Sequence, residues 1–435
     1  MLDFNGHRQA LMAAMDDNSV AILPAAKMYI RNNDAEYPYR QDSDFFYLTG
    51  FTEDHACLVL QKKNNETHVS LFCQPKVKEM EIWTGYRLGP EAAIETLGVD
   101  SAFTIDELDN KLPELLADCK HVYAAWGHDA EHDQRFMQAI NKVKLQARKG
   151  VTAPTNMQAI EPLLHEQRLI KSQAEIDLMR QAATISAQAH VEAMKAVKPG
   201  MYEYQLEGII RNHGAQNGSR FDAYSSIVGA GENACVLHYT QNNQKINDGD
   251  LVLIDAGCEL NHYASDITRT FPANGRFSEA QKALYQVVLD AQIAAIDAVK
   301  PGNHCKVSHE VALKVLTQGL VNLGLLNGDV DKLIEEEAYK PFFMHGTGHW
   351  LGLDVHDVGA YKIDGEWRML EPGMVVTIEP GLYVSPDNDQ VDAKWRGIGI
   401  RIEDDVLVTD QGHEVLSKDV PKSIKEIEAL TAQGQ

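Results

Sequence analysis

The chain has 435 residues, of which 44% are hydrophobic and 24% are charged, so it can bury large cores and divide into two domains. The 63 acidic and 40 basic residues give a net charge of -23, which disfavours binding to nucleic acid or to an anionic membrane. The longest apolar runs have the length of a strand and fall far short of the roughly 20 residues that span a bilayer. No membrane span is therefore predicted.

The amino terminus and the cysteines bear on the compartment. Residues 1–8 lack the basic start, apolar stretch and small-residue cleavage site of a secretory signal. The six cysteines lie far apart without a C-x-x-C pair, which suggests neither a disulfide framework nor a zinc ribbon. We therefore expect a reducing, cytoplasmic location.

The first part of the chain predicts an α/β domain. A helical pattern over residues 8–15 precedes β-rich runs over residues 19–23, 56–61 and 67–73, and a turn-forming Lys62-Lys-Asn-Asn separates the last two.

The pattern breaks down around residues 148–156, and a long amphipathic helix follows. Ser172 and Glu175 have the spacing of a capping box that opens this helix, which runs to about Val197. We place the domain boundary near residue 169, which gives domains of residues 1–168 and 169–435.

The second part contains a diverged internal repeat. Ala196-Val-Lys-Pro-Gly200 and Ala298-Val-Lys-Pro-Gly302 each end a helical segment, and residues 249–257 match residues 373–381 position by position. Each copy of the second block has a turn glycine, a buried strand, a carboxylate and another glycine. The predicted fold class is α/β (α+β), with a second domain made of two helix-and-hairpin halves related by a pseudo-twofold.

Carboxylates follow the two matched strands. Asp255 follows the apolar residues 251–254 and Glu379 follows residues 375–378, so each acid ends a strand that is predicted to be buried. A buried carboxylate needs a cation or a dense set of hydrogen bonds. Return strands are predicted to bring Asp266 beside Asp255, and to place Arg401 and Glu403 on one face. Each hairpin would then supply two acids to one site.

A fifth ligand comes from His345-Gly-Thr-Gly-His349. Its glycines disfavour a helical pair of zinc ligands and instead permit close backbone approach. Four carboxylates and the His349 imidazole form an oxygen-rich set that suits manganese or a similar divalent ion. Four negative charges cancel two divalent cations, so the sequence predicts two ions that hold a bridging water as hydroxide. A single such Asp is more often a turn or cap residue, and the prediction depends on the full set.

These residues resemble the aminopeptidase P family of the pita-bread metallopeptidases, in its bacterial form, over nearly the whole chain. The most specific stretches are His238-Tyr-Thr, residues 250–258, Asp266-Ile-Thr-Arg-Thr-Phe-Pro, His345 through His356-Asp-Val-Gly, Glu371-Pro-Gly-Met and residues 397–405. In the first domain, residues 36–51 look like the aminopeptidase P N-terminal domain, which methionine aminopeptidases lack.

The resemblance implies an arrangement of the metal ligands. Asp255 and Asp266 would bind one ion, His349 and Glu379 would bind the second, and Asp266 and Glu403 would bridge the pair.

The resemblance also implies catalytic residues. His238 and His356 would stabilise the tetrahedral intermediate, although the alternative for each is a structural histidine. Glu379 would also shuttle the proton. The implied substrate-binding residues are His345, Tyr383, Arg401, Asp34, Trp83 and Arg368. The last three match rim positions that neighbouring subunits of a homotetramer complete, and the alternative for Trp83 is a core aromatic.

The implied activity is hydrolysis of the bond between an N-terminal residue and a following proline in peptides, by attack of a metal-bridging hydroxide. The departing proline nitrogen has no N–H and must gain a proton. One alternative is prolidase, which cleaves only Xaa-Pro dipeptides, with promiscuous organophosphate hydrolysis as a side activity. Another is a metal-free pita-bread binding protein, which the presence of all five ligands disfavours.

Overall fold

The computed structural model describes residues 2–434. Backbone contacts divide the chain into two units, residues 1–168 and residues 169–435. None of the helices in the described part of the chain is long and apolar enough to cross a membrane. All six cysteines are free thiols.

The first unit combines one mixed sheet with surrounding helices. Its strands are β1 (Ser19–Pro24), β2 (Ile30–Asn32), β3 (Ala35–Glu36), β4 (Cys57–Lys63), β5 (Glu66–Cys73), β6 (Ser101–Thr104), β7 (His121–Ala124) and β8 (Asn156–Ala159). Its helices are α1 (Phe4–Ala14), α2 (Ser43–Thr49), α3 (Lys78–Thr84), α4 (Gly89–Leu97), α5 (Leu108–Leu116), α6 (Ala130–Lys144) and α7 (Glu161–Leu169). The sheet has the order β6-β5-β4-β1-β7-β8, and β2 and β3 form a separate hairpin.

The helix and strands predicted for this unit are present. The pattern at residues 8–15 belongs to α1, where the Asp3 side chain accepts a hydrogen bond from the Gly6 N–H at 2.8 Å and caps the first turn. Strands β4 and β5 are antiparallel, and Asn64 and Asn65 connect them with φ of 54° and 62°. Two successive residues in this left-handed region are typical of tight hairpin turns.

The second unit contains the remaining elements. Its helices are α8 (Gln173–Ala196), α9 (Glu203–Gln216), α10 (Glu279–Asp297), α11 (Val307–Asn322), α12 (Val330–Glu335) and α13 (Ile424–Thr431). Its strands are β9 (Phe221–Asp222), β10 (Ile227–Ala230), β11 (Leu251–Asp255), β12 (Cys258–Leu260), β13 (Tyr263–Ala264), β14 (Thr268–Pro272), β15 (Lys362–Ile363), β16 (Glu366–Trp367), β17 (Val375–Ile378), β18 (Gly381–Val384), β19 (Ile398–Arg401), β20 (Asp404–Thr409) and β21 (Gly412–Val415).

Short 3-10 helices complete the two units. They span Ile105–Glu107, Ala147–Lys149, Gly231–Cys235, Ala393–Trp395 and Ala432–Gly434.

The duplicated halves are visible as two helix pairs, each followed by an antiparallel strand pair. Helices α8 and α9 pack together and precede β11 and β14, and helices α10 and α11 pack together and precede β17 and β20. The predicted capping box forms at the start of α8, where the Ser172 N–H donates to Glu175 Oε2 at 2.7 Å. The repeated Ala-Val-Lys-Pro-Gly blocks lie at the ends of α8 and α10.

One predicted strand proves to be two. The return strand expected to carry both Arg401 and Glu403 breaks between Arg401 and Asp404, because β19 pairs with β18 whereas β20 pairs with β17. The segment that pairs with it changes sheets at the matching point, since Glu379 lies between β17 and β18. Glu403 therefore lies in the break rather than on a strand face shared with Arg401. The prediction of period-2 alternation across these two residues was wrong.

The fully buried His190 on α8 makes the stability of the second unit depend on pH. Burial lowers the pKa of His190 to about 4, whereas an unfolded histidine titrates near about 6.5. The unfolded chain therefore binds the proton more readily. The stabilisation is complete above pH ~6.5 and is lost as the pH falls from there towards about 4.

For metal-free protein, we expect His190 to account for a loss of about 2 kcal/mol in the free energy of unfolding between pH ~7.5 and pH ~5. Urea unfolding of wild type, His190→Gln and the exposed control His128→Gln measures this contribution. His190→Gln should remove this part of the pH dependence of the unfolding free energy, and His128→Gln should retain it. Equal pH dependence in all three proteins would contradict the assignment.

Candidate metal centre

The first hairpin brings Asp255 and Asp266 together. Asp255 ends β11, and Asp266 lies just before β14, which pairs with β11. The Tyr224 hydroxyl is 2.6 Å from Asp255 Oδ1 and 2.5 Å from Asp266 Oδ1, so a single side chain joins the two acids. The two arms of this hairpin approach each other closely at Gly257, where a Cβ would lie only 1.6 Å from the Ser265 carbonyl oxygen. Only glycine fits at this close approach.

The second hairpin supplies Glu379 and Glu403, and it is bonded directly to the first. Thr268 on β14 donates its hydroxyl to Glu403 Oε2 at 2.6 Å, and the Glu403 N–H donates to the Thr268 carbonyl at 3.1 Å. Arg401 Nε also donates to the Thr268 hydroxyl at 3.2 Å. Arg401 and Glu403 therefore meet at Thr268, although they do not share a strand face.

His349 reaches the acids from an extended segment. The His349 N–H donates to Thr377 Oγ1 at 3.1 Å, and the Thr377 N–H donates to the His349 carbonyl at 2.9 Å. A Cβ at Gly348 would lie 1.9 Å from the Thr377 carbonyl oxygen, so the predicted close backbone approach is present. His349 Nε2 lies 3.4 Å from Asp266 Oδ2 and 3.7 Å from Glu379 Oε1.

The donor set fits a cation site. Asp266, His349 and Glu403 each offer one ligand atom, and these three atoms lie within 4.8 Å of one another. Asp255 joins this group through Tyr224, and Glu379 joins it through His349. Oxygen donors with one imidazole suit a divalent ion of the manganese type.

The electrostatics of the buried acids favour bound cations. Burial, followed by the charge of Asp266, raises the pKa of Glu403 well above its ordinary value. Burial also raises the pKa of Asp255, and it raises that of Glu379 to about 7 although His349 and Arg401 oppose the rise. For Asp266, burial raises the pKa but the hydrogen bond and charge of His349 lead the opposing effects, and the net pKa is lowered. Divalent cations would hold all four groups as anions.

A hydrogen-bonded chain supports one side of the centre. Arg401 Nη2 donates to Asp255 Oδ2 at 2.6 Å, and Arg401 Nη1 donates to the Tyr383 hydroxyl at 2.9 Å. His345 Nε2 lies 2.9 Å from the same hydroxyl, and its Nδ1 lies 3.7 Å from Glu379 Oε2. Burial is the main reason that the pKa of His345 falls to about 3, so this imidazole is neutral.

A cavity of about 240 Å³ opens onto the centre. It is lined by Leu237, His238, Asp255, His345, Gly346, Gly348, His349, His356, Glu379 and Arg401. The His356 ring packs edge-on against the His349 ring with 4.3 Å between centroids. Both His238 and His356 are exposed to solvent, which disfavours the alternative that they are buried structural histidines.

Three residues predicted to bind substrate are not among the residues that line this cavity. Trp83 on α3 is 84% exposed, which rules out a core aromatic. Asp34 is an exposed turn residue between β2 and β3. Arg368 is 7% exposed and pairs with Glu371 at 3.8 Å. The substrate roles of these three residues stay predictions.

The sequence reasoning missed two side chains at the centre. Tyr224 bonds both acids of the first hairpin, and the Asp405 carboxylate accepts the Asp266 N–H at 3.2 Å. Burial raises the pKa of Asp405 well above its ordinary value. Tyr224 belongs to no motif, and its position before a buried strand is the one sequence feature that could have indicated a role at the centre. Asp405 was visible as the last acid of the Glu403-Asp-Asp run.

The fold and the centre define a metallopeptidase: the chain belongs to metallopeptidase family M24, which matches residues 177–410. Residues 4–123 match the aminopeptidase P N-terminal domain. The predicted family resemblance, the pita-bread fold class and the α/β first domain are thereby confirmed.

Similar proteins cover almost the whole chain. The Xaa-Pro aminopeptidase of Escherichia coli (strain K12) is 49% identical over 430 residues, which span 98% of this chain and 97% of that protein. The structure of Pseudomonas aeruginosa aminopeptidase PepP has a TM-score of 0.97 at 54% identity and covers 99% of this chain and 97% of its own. The Zn-substituted Escherichia coli aminopeptidase P in complex with product has a TM-score of 0.97 at 48% identity, with coverages of 99% and 98%.

Proposed function

We propose that this chain is an aminopeptidase that hydrolyses the bond between an N-terminal residue and a following proline. The observation that carries the proposal is the shared cavity, where His238 and His356 line the same small space as Asp255, His349 and Glu379. Specificity for proline is supported by the Xaa-Pro aminopeptidases that match this chain over nearly their full length.

Two divalent cations, with Mn²⁺ as the metal that best suits the donor set, are part of the proposal. Asp255 and Asp266 would hold one ion, His349 and Glu379 the other, and Asp266 and Glu403 would bridge them. When bound, the two cations supply the Lewis acidity that activates water and polarises the scissile carbonyl. The excess of buried acids in the centre supports the binding of two doubly charged cations.

The side chains of the cavity carry the remaining chemistry. His356 and His238 donate N–H hydrogen bonds to the carbonyl oxygen as negative charge develops on it. Glu379 takes a proton from the attacking water and delivers it to the proline nitrogen, which otherwise leaves as an unstable anion. Arg401 and Tyr383 fix Asp255 and His345 in place through their direct bonds.

We also propose a cytoplasmic homotetramer in which Asp34, Trp83 and Arg368 complete the substrate site. The exposure of an aromatic as large as Trp83 supports a partner surface there. Analytical ultracentrifugation of wild type and Trp83→Ala tests the assembly.

One assay separates the proposed activity from its closest rival. The manganese-loaded protein is incubated with a Xaa-Pro-Xaa tripeptide, a Xaa-Ala-Xaa control and a Xaa-Pro dipeptide, and the released amino acid is measured. We expect turnover of the first peptide and little of the second. Turnover of the dipeptide alone would establish a prolidase and overturn the proposal.

Substitution of His356 tests its role directly. His356→Ala is expected to lower kcat for the tripeptide by about 10²-fold, because one donor to the developing oxyanion is lost. KM and the bound manganese should stay within about twofold, since the ring is outside the proposed donor set. The exposed His128→Ala is the control, and an unchanged kcat in His356→Ala would remove this residue from the mechanism.

A further inference from the structure

A buried ion pair lies directly beside His356. Lys171 Nζ is 2.8 Å from Asp357 Oδ2, and both side chains are only 1% exposed. Lys171 Nζ also lies 3.4 Å from the Leu169 carbonyl oxygen. A full charge is costly to bury, and removing one partner of such a pair leaves the other charge uncompensated.

His356 has little else to hold it in place. Within the described part of the chain, its ring makes no hydrogen bond, and its one ring contact is the edge-on packing against His349. Its side chain is exposed to solvent while the next residue, Asp357, is buried. The direction of the His356 ring therefore depends on where the backbone at residues 356 and 357 is anchored.

The loop that carries His356 is closed tightly around the ion pair. The Asp357 N–H donates to the Trp350 carbonyl at 2.9 Å, so the loop returns to its own start. At Gly352, a Cβ would lie 2.1 Å from Asp357 Oδ2 and 2.9 Å from Lys171 Cε. The carboxylate has no room to move towards this side.

Lys171 is itself fixed to the sheet that positions Glu379. The Lys171 N–H donates to the Gly373 carbonyl at 2.9 Å, and the Gly373 N–H donates to the Val408 carbonyl on β20 at 3.0 Å. Strand β20 pairs with β17, which leads directly to Glu379. The ion pair thus links the His356 loop to the strand pair that carries one of the proposed ligands.

We propose that Lys171, acting through Asp357, is a positioning residue for His356 in the reaction. Lys171 does not touch substrate. It holds the backbone so that the His356 N–H points at the carbonyl oxygen of the scissile bond. This inference rests on the proposed aminopeptidase activity.

The test is a double-mutant cycle between the ion pair and the histidine. Lys171→Met is expected to lower kcat about tenfold with KM and bound manganese within about twofold, because a small misplacement of a catalytic group is costly. In a His356→Ala background, Lys171→Met should change kcat by less than about twofold, since the positioned group is gone. The control is Arg180→Met, which removes the partly exposed Arg180–Glu414 pair and should leave kcat unchanged.

A neutral pair keeps the test decisive if Lys171→Met does not fold. The Lys171→Met/Asp357→Asn variant removes both buried charges and is measured in the same cycle with His356→Ala. Two results would overturn positioning through His356. One is a tenfold loss of kcat that is the same with His356 present and in the His356→Ala background, and the other is a loss of bound manganese. A wild type that cleaves no Xaa-Pro peptide would instead refute the proposed function.

Discussion

Replacing Asp266 with alanine is expected to lower kcat/KM for a Xaa-Pro-Xaa peptide by about 10⁴-fold or more, or about 5 kcal/mol in transition-state stabilisation. Asp266 contacts two groups of the centre: it shares Tyr224 with Asp255 and lies 3.4 Å from His349 Nε2. In the proposed arrangement it bridges both cations, so its loss should also lower the bound manganese. Activity assays and metal analysis of the dialysed protein measure the two effects.

The matched control for this substitution is Asp248→Ala. Asp248 is an exposed acid of the same unit whose Oδ1 accepts a hydrogen bond from Asn274 Nδ2 at 2.7 Å. It should retain wild-type rate and metal content. An Asp266→Ala protein that kept two bound cations and full rate would refute the assignment.

The second large effect is on folding and follows from Arg269. Its side chain is fully buried and donates to Asp404 Oδ1 at 2.7 Å and to the Glu403 carbonyl at 2.5 Å. Although burial alone would raise the pKa of Asp404, the charges of Arg269 and Lys422 lower it to about 2. Arg269→Met would leave this carboxylate buried with much less compensation, so we expect a loss of about 3 to 5 kcal/mol in the free energy of unfolding.

Urea unfolding of metal-free wild type and Arg269→Met measures this loss. Lys282→Met is the control, because the Lys282–Glu428 pair is partly exposed at 3.2 Å and is expected to contribute less than about 1 kcal/mol. A similarly small loss for Arg269→Met would show that the buried network does not stabilise the second unit.

The sequence was sufficient for features that depend on local pattern. The capping box at Ser172 and the Asn64-Asn65 turn have short-range signals, and both are present. The internal repeat predicted two hairpins, and it did so because matched turn glycines and buried strands recur in the same order. Each hairpin does bring its two acids to the same region.

Features that depend on packing between distant segments were not predictable. The break between Arg401 and Asp404 arises because the chain changes sheets there, and strand periodicity carries no sign of a change of partner. Tyr224 joins two acids that are distant in sequence, and Lys171 pairs with Asp357 across the second unit. Such pairs are set by tertiary contacts, and a single sequence does not encode them in any local pattern.

The most direct test of the five-residue dinuclear centre is anomalous X-ray diffraction from crystals of the manganese-loaded protein. We expect two anomalous peaks per chain, each about 2.0 to 2.6 Å from its ligand atoms. Asp255 and Asp266 should surround one peak, His349 and Glu379 the other, and Asp266 and Glu403 should contact both. A single peak, or peaks that leave Glu403 or Asp255 without a metal contact, would contradict this account.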